Sequence, residues 1–164
     1  MAAFDLDTWH DFLSTQAAAG AALAGLVFVA ISINLERVLS SRAVSGRAVE
    51  ALLLLLSLLI VGLLGLIPEQ STKAVGIEFI LFGLMMTVSL VRIGSGAASV
   101  GGATRGQYVA RLCLGQLASL PIIIAGISLI SGDGGGLYWV ALSTIVALLA
   151  GMIGAWVLLV EILR

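Results

Sequence analysis

Five long apolar runs, separated by shorter polar or glycine-rich connections, dominate the pattern of hydrophobic and polar positions along the chain. Each run is long enough to cross a hydrocarbon core of about 30 Å as an α-helix. A helix also satisfies its own backbone hydrogen bonds inside a membrane, which an open strand cannot do. The pattern therefore predicts an all-α, polytopic membrane protein with one transmembrane domain over residues 1–164. The predicted spans are residues 14–36, 50–67, 76–92, 107–131 and 137–161.

The composition supports a membrane location. Hydrophobic residues make up 60% of the chain and charged residues only 10%, whereas a soluble domain carries about 25% charged residues. The formal net charge of −1 gives no electrostatic basis for binding nucleic acid. The acidic N-terminal segment lacks the basic start of a secretory signal, so we expect no signal peptide to be removed. The lipid bilayer is the expected partner of the apolar surface.

Basic residues are distributed unequally between the two ends of the predicted spans. Only Lys73 falls on one side, and the other seven of the eight basic residues fall on the opposite side. Cytoplasmic loops of membrane proteins carry the excess of Lys and Arg. We therefore predict an N-terminus outside and a C-terminus in the cytoplasm, with the protein in a bacterial plasma membrane. The seven are Arg37, Arg42, Arg47, Arg92, Arg105, Arg111 and Arg164.

Small residues recur every three or four positions in the first and fifth spans, a spacing that lets helix backbones approach closely in a membrane. We therefore predict that these two spans pair, within or between subunits. The second span consists almost entirely of Leu, Ile and Val, so we expect it to face lipid while protein neighbours surround the first. The small residues are Ala17, Ala21 and Gly25 in the first span and Ala147, Gly151 and Gly154 in the fifth.

One continuous stripe along the first span has the character of a pore lining. In a homo-oligomer it would give a polar ring, an apolar constriction at Leu23 and Val27, and a polar-to-basic exit, which are devices used by channels. The alternative is that the same stripe is buried against other spans of its own chain, with Asn34 and Arg37 as caps. The stripe consists of Gln16, Gly20, Leu23, Val27, Ala30, Asn34 and Arg37.

Two other spans carry polar residues that are candidates for an ion site. Glu78 lies about one turn inside the third span, where a carboxylate is either functional or close enough to the interface to reach headgroups. Gln116 and Ser119 flank the fourth span's Pro121, which has no N–H and frees the carbonyl of Leu117. Such an interrupted helix can coordinate a cation, and an ordinary packing kink is the alternative.

Motifs of catalytic chemistry are absent from the sequence. No nucleophile elbow, zinc-protease helix, paired-cysteine motif or haem-type histidine pair is present, so we predict that the protein is not an enzyme and uses no cofactor. The single histidine, His10, lies near Asp7 and Asp11, and this group is either a metal or proton site or a solvated cap. The glycine-rich residues 94–106 are predicted to be a flexible cytoplasmic linker.

The segment AAAGAALAGLVFVAISINLERVL, followed by RAVEALLLLLSLLIVGLLGLIPEQ, resembles a family of small actinobacterial integral membrane proteins loosely labelled modulators of the FtsH protease. The resemblance covers about the first 90 residues, and residues 32–35 (SINL) with Arg37 are its most specific part. It implies a regulatory partner in the membrane.

The first span is also similar to the pore helix of Orai calcium channels, through residues 22–25 (ALAG) followed by Val29 and Ala30. Ile33 stands where the Orai family has its selectivity-filter glutamate, and the predicted direction of the span is opposite. A calcium-selective pore of that design is therefore not supported.

Two functions are expected from these patterns. The more concrete is a non-enzymatic homo-oligomeric channel or pore whose axis is lined by the first span. The alternative is an accessory or regulatory subunit of a larger membrane complex, such as a membrane protease or a respiratory assembly.

Overall fold

The computed structural model describes residues 2–40, 42–98 and 105–163, and these residues form helices with short connections and no strand. A short 3₁₀ turn at Ala2–Phe4 precedes six α-helices. All of them except the short α2 are long and apolar enough to cross a membrane, which confirms the predicted all-α fold with five candidate spans. The helices are α1 (His10–Ile33), α2 (Leu35–Ser40), α3 (Arg42–Gly65), α4 (Thr72–Ala98), α5 (Arg105–Ser131) and α6 (Tyr138–Leu163).

Most helix ends differ from the predicted bounds by a few residues, and α3 begins eight residues earlier than predicted. Asn34 separates α1 from α2: its side-chain amide donates to the Ala30 carbonyl at 3.0 Å, and its backbone N–H donates to the Ile31 carbonyl at 3.1 Å. The predicted linker over residues 94–106 is shorter at both ends because α4 continues through Ala98 and α5 begins at Arg105. Residues 99–104 lie outside the described residues.

The leucine-rich helix α3 lies at the centre of the bundle and packs against α1, α2, α4 and α6. Half of the most apolar stretch of α3 is buried inside the chain, compared with 28% of the corresponding stretch of α1. The expectations that this span faces lipid and that the other helices pack around the first span are therefore wrong. The physical reason is that lipid tails are as apolar as leucine, so hydrophobicity does not distinguish a lipid neighbour from a protein neighbour.

Close contacts between small residues hold α1 against α3. A Cβ added to Gly62 would lie 2.7 Å from the Leu13 carbonyl oxygen and 2.9 Å from the Cβ of Ala17. A Cβ on Gly20 would lie 2.7 Å from the backbone nitrogen of Leu59. The two backbones therefore approach as closely as glycine permits, as is common in membrane helix pairs.

The small residues of α6 also pack against α3 rather than against α1. A Cβ on Gly151 would lie 2.8 Å from the side chain of Leu55, and a Cβ on Gly154 would lie 3.2 Å from that of Ala51. Ala147 in the same helix is fully buried. Within one chain, the predicted pairing of the first and fifth spans along these stripes is wrong, because the α6 glycines and Ala17 face α3 and Ala21 and Gly25 are exposed.

Glycine also sets the distance between α4 and α5, which run side by side along most of their length. A Cβ on Gly76 would lie 2.8 Å from the carbonyl oxygen of Gly126, and a Cβ on Gly126 would overlap the Gly76 carbonyl. Farther along, Gly83 faces the side chain of Ile123. The two helices therefore pack with their backbones in contact at these glycines.

We predict that Gly126→Ala lowers the free energy of unfolding by about 1–3 kcal/mol, because the added methyl group pushes the two backbones apart. The control is Gly106→Ala in the same helix, where a Cβ would meet no atom within 4 Å. Unfolding by denaturing detergent measures both variants. Equal stability of Gly126→Ala and the wild type would contradict the close crossing.

Candidate functional site

The residues before α1 fold back onto the turn between α5 and α6. The backbone N–H of Leu137 donates to the Ala3 carbonyl at 2.8 Å, and the indole N–H of Trp9 donates to the Ala2 carbonyl at 2.8 Å. The Trp9 ring also meets the Tyr138 ring edge-to-face at 5.0 Å. These contacts place the acidic N-terminal segment over one end of the bundle.

The histidine at this end does not form a metal site within the part of the chain that the structure describes. His10 is exposed, and its Nδ1 lies 3.5 Å from one carboxylate oxygen of Asp11. Asp5 binds the Thr8 hydroxyl at 2.6 Å, and this hydrogen bond lowers the pKa of Asp5. No group of three or more His, Cys, Asp or Glu residues among the described residues is placed to hold a metal ion.

The N-terminal half of the α1 stripe is enclosed by helices of its own chain. Gln16 is only 4% exposed. Its amide N–H donates to the Leu58 carbonyl at 3.0 Å, and its amide oxygen lies 2.8 Å from the Thr144 hydroxyl. Gly20, one turn later, packs against the α3 backbone. Gln16 thus joins α1, α3 and α6 at one buried point.

The rest of the stripe lies in a more open environment. Leu23, Val27 and Asn34 line a groove of about 460 Å³ between α1 and α6, and Arg37 is exposed on α2. The small residues of the same helix are divided between two faces: Ala17 is buried against α3, whereas Ala21 and Gly25 are exposed.

The structure does not bring the three ion-site candidates together. Glu78 accepts a hydrogen bond from the Gln70 amide at 2.6 Å, at the end of α4 nearest the α3–α4 turn. Ser119 accepts one from the Thr87 hydroxyl at 3.0 Å, and Thr87 lies about 13 Å along α4 from Glu78. Gln116 is partly buried on α5 and its amide nitrogen has no hydrogen-bond partner. These residues form two separate polar contacts at different depths.

A charged pair that the sequence patterns do not single out joins α3 to α5. The guanidinium of Arg111 forms an ion pair with the carboxylate of Glu50. Both residues lie inside candidate membrane spans, and their side chains are only 25% and 14% exposed. Charged residues inside membrane spans are almost always paired, and such a pair is a candidate functional site.

Sequence reasoning missed this pair because each member stands at the edge of a predicted span. Glu50 is the first residue of one span and Arg111 lies near the start of another, so each separately resembles an interfacial residue. Only the folded structure shows that the two side chains meet. An acid and a base both placed at the same predicted end of their spans is the one signal that would have suggested a pair.

The ion pair lies at one end of a cavity of about 290 Å³ between α3, α5 and α6. Arg47 lines the same end as the pair. The remainder of the lining is apolar, and much of it consists of residues too small to fill the space. These small residues are Ala51, Ala110, Gly115, Ala150 and Gly154.

Comparisons with protein-family models, curated proteins and solved structures find no match to this chain. The resemblances to the actinobacterial family and to the Orai pore helix therefore stay predictions. The function has to be argued from the contacts and exposed surfaces described above.

We predict that Glu50→Gln lowers the free energy of unfolding by about 1–3 kcal/mol, because it leaves the partly buried Arg111 charge without its partner. The double variant Glu50→Gln/Arg111→Gln removes both charges and should recover much of this loss. Unfolding in denaturing detergent measures wild type, both single variants and the double variant. Purely additive effects would show that the two side chains do not interact.

Proposed function

We propose that the protein is a non-enzymatic membrane protein that acts by associating with other membrane proteins, first of all with further copies of itself, through the exposed face of α1. The arginine-bearing end of the bundle would face the cytoplasm, as the positive-inside rule predicts. In this role the protein is an oligomeric accessory subunit rather than a catalyst.

The exposed face of α1 supports this proposal. Among the five candidate spans, α1 has the smallest buried share of its apolar stretch, at 28%, although this helix is less hydrophobic than α3 or α6. Ala18, Ala21 and Ala22 are exposed beside Gly25. Exposed Phe28 and Val29 follow this group of small residues. A group of small residues on a helix face gains little from lipid but allows another helix to approach closely.

Gly25 carries the proposal. Most helical glycines of the described chain lie against a neighbouring helix, whereas a Cβ on Gly25 or Gly106 would meet no atom of the chain within 4 Å. Of these two glycines, Gly25 is the one inside a candidate membrane span. The packing of a single chain therefore gives no reason for glycine at this position. Contact with a second chain supplies one.

A channel lined by the α1 stripe draws less support from this geometry. Gln16 and Gly20 are covered by α3 and α6 of the same chain, so only the later part of the stripe, from Leu23 onward, borders an open groove. The exposed face with Gly25 is a different face of the helix from the stripe. Association through that face leaves the stripe away from a common axis.

We predict that the wild type forms a closed oligomer in mild detergent and that Gly25→Leu shifts it toward monomer, with association weakened about tenfold. The leucine fits the single chain but blocks a close helix neighbour. Gly106→Leu is the control, because its Cβ also meets open space on another helix. Native mass spectrometry measures all three proteins, and thermal unfolding confirms that the variants fold.

Two results would overturn the proposal. The first is a wild-type monomer, or a Gly25→Leu variant that assembles like the wild type. The second is ion conductance in bilayers that changes with Val27→Ser or Asn34→Leu while the mass of the oligomer stays constant. That second result would establish a pore along the stripe instead.

A further inference from the structure

We infer that the cavity between α3, α5 and α6 is a binding site for one anionic phospholipid of the surrounding bilayer. An acyl chain would occupy the apolar part, and the phosphate would lie at the end that carries Arg47 and Arg111. This site lies away from the exposed face of α1 and is independent of the self-association proposed above.

The size and lining of the cavity favour a hydrocarbon occupant. Its volume of about 290 Å³ is far larger than the space that one water molecule needs. Ala51, Ala110 and Ala150 line it with side chains of a single methyl group. Apolar space between helices favours an apolar occupant, and within a membrane the abundant apolar ligand is an acyl chain.

The charges at one end favour an anionic headgroup. Arg47 and Arg111 contribute two guanidinium groups to this end of the lining, and Glu50 is paired with Arg111. They lie toward the end of the bundle where α3 and α5 begin, which is also the end of the candidate spans. Basic pockets between membrane helices at this depth bind the headgroups of anionic lipids.

Glu50 positions Arg111 without using up its hydrogen-bonding capacity. The ion pair uses one terminal nitrogen of Arg111, and a guanidinium has five N–H donors in total. The remaining donors are available to a phosphate, which arginine binds well because its planar group matches the phosphate oxygens. The combination of an apolar chamber with a positioned arginine fits a lipid better than it fits a free anion or a neutral hydrocarbon.

The test uses the full-length protein in bilayer nanodiscs containing equal amounts of phosphatidylglycerol and phosphatidylcholine. Native mass spectrometry after gentle release counts the lipids that stay bound. We expect one retained phosphatidylglycerol per chain in the wild type, and about fivefold less retention in Arg47→Gln, because one arginine near the surface contributes about that factor.

Two further variants test the apolar part of the site. Ala110→Leu places a larger side chain at an exposed position of the lining and should abolish retention of the lipid. Cys113→Leu is the matched control, since Cys113 is exposed on the same helix but outside the cavity, and it should retain lipid like the wild type. Thermal unfolding of each variant confirms that the fold is intact.

Equal retention of phosphatidylglycerol and phosphatidylcholine, or unchanged retention in Ala110→Leu, would overturn the inference. Displacement of the signal by inorganic phosphate alone would show a simple anion site and would also overturn it. Gly25→Leu should retain lipid like the wild type. Loss of self-association and loss of lipid binding are therefore distinguishable.

Discussion

The rest of the structure depends on the close approach of α1 and α6 to α3. Gly20 and Gly62 allow the contact between α1 and α3, and Gly151 and Gly154 allow the contact between α6 and α3. In a membrane no hydrophobic force drives helices together. How closely two backbones can approach therefore decides which helices become neighbours. A side chain larger than glycine at Gly62 would separate α1 from α3 and weaken every contact that follows from this arrangement.

One consequence is the buried polar contact between Gln16 and Thr144. These residues are far apart in the sequence, and they meet because α3 brings both of their helices to its own backbone. A buried amide whose two ends are both hydrogen-bonded fixes the relative positions of the helices, since any displacement would leave a polar group unpaired in an apolar environment. Glycine contacts therefore bring the helices close together, and Gln16 determines their register.

The sequence predicts the number of helices far better than their arrangement. Helix formation in a membrane follows from length and apolarity, so five spans could be recognised from residue types alone. Which helices pack together depends on local shape, which the sequence does not show directly. The leucine-rich second span is therefore predicted to face lipid, although Leu55 and Leu58 are almost completely buried. The candidate site was less predictable still, because Ser119 binds Thr87 and the pairing of Glu50 with Arg111 requires the folded chain.

The ion pair and the cavity beside it are best understood together. An ion pair that served only to join α3 to α5 would need no space next to it, and a larger residue at the exposed Ala110 of the lining would occupy that space. Unfilled space between helices forfeits van der Waals contacts, and two partly buried charges add a cost of desolvation. An acyl chain restores the missing van der Waals contacts, and a phosphate at Arg111 adds charge-assisted hydrogen bonds. One amphipathic ligand therefore offsets both costs, which neither a water molecule nor a hydrocarbon alone would do.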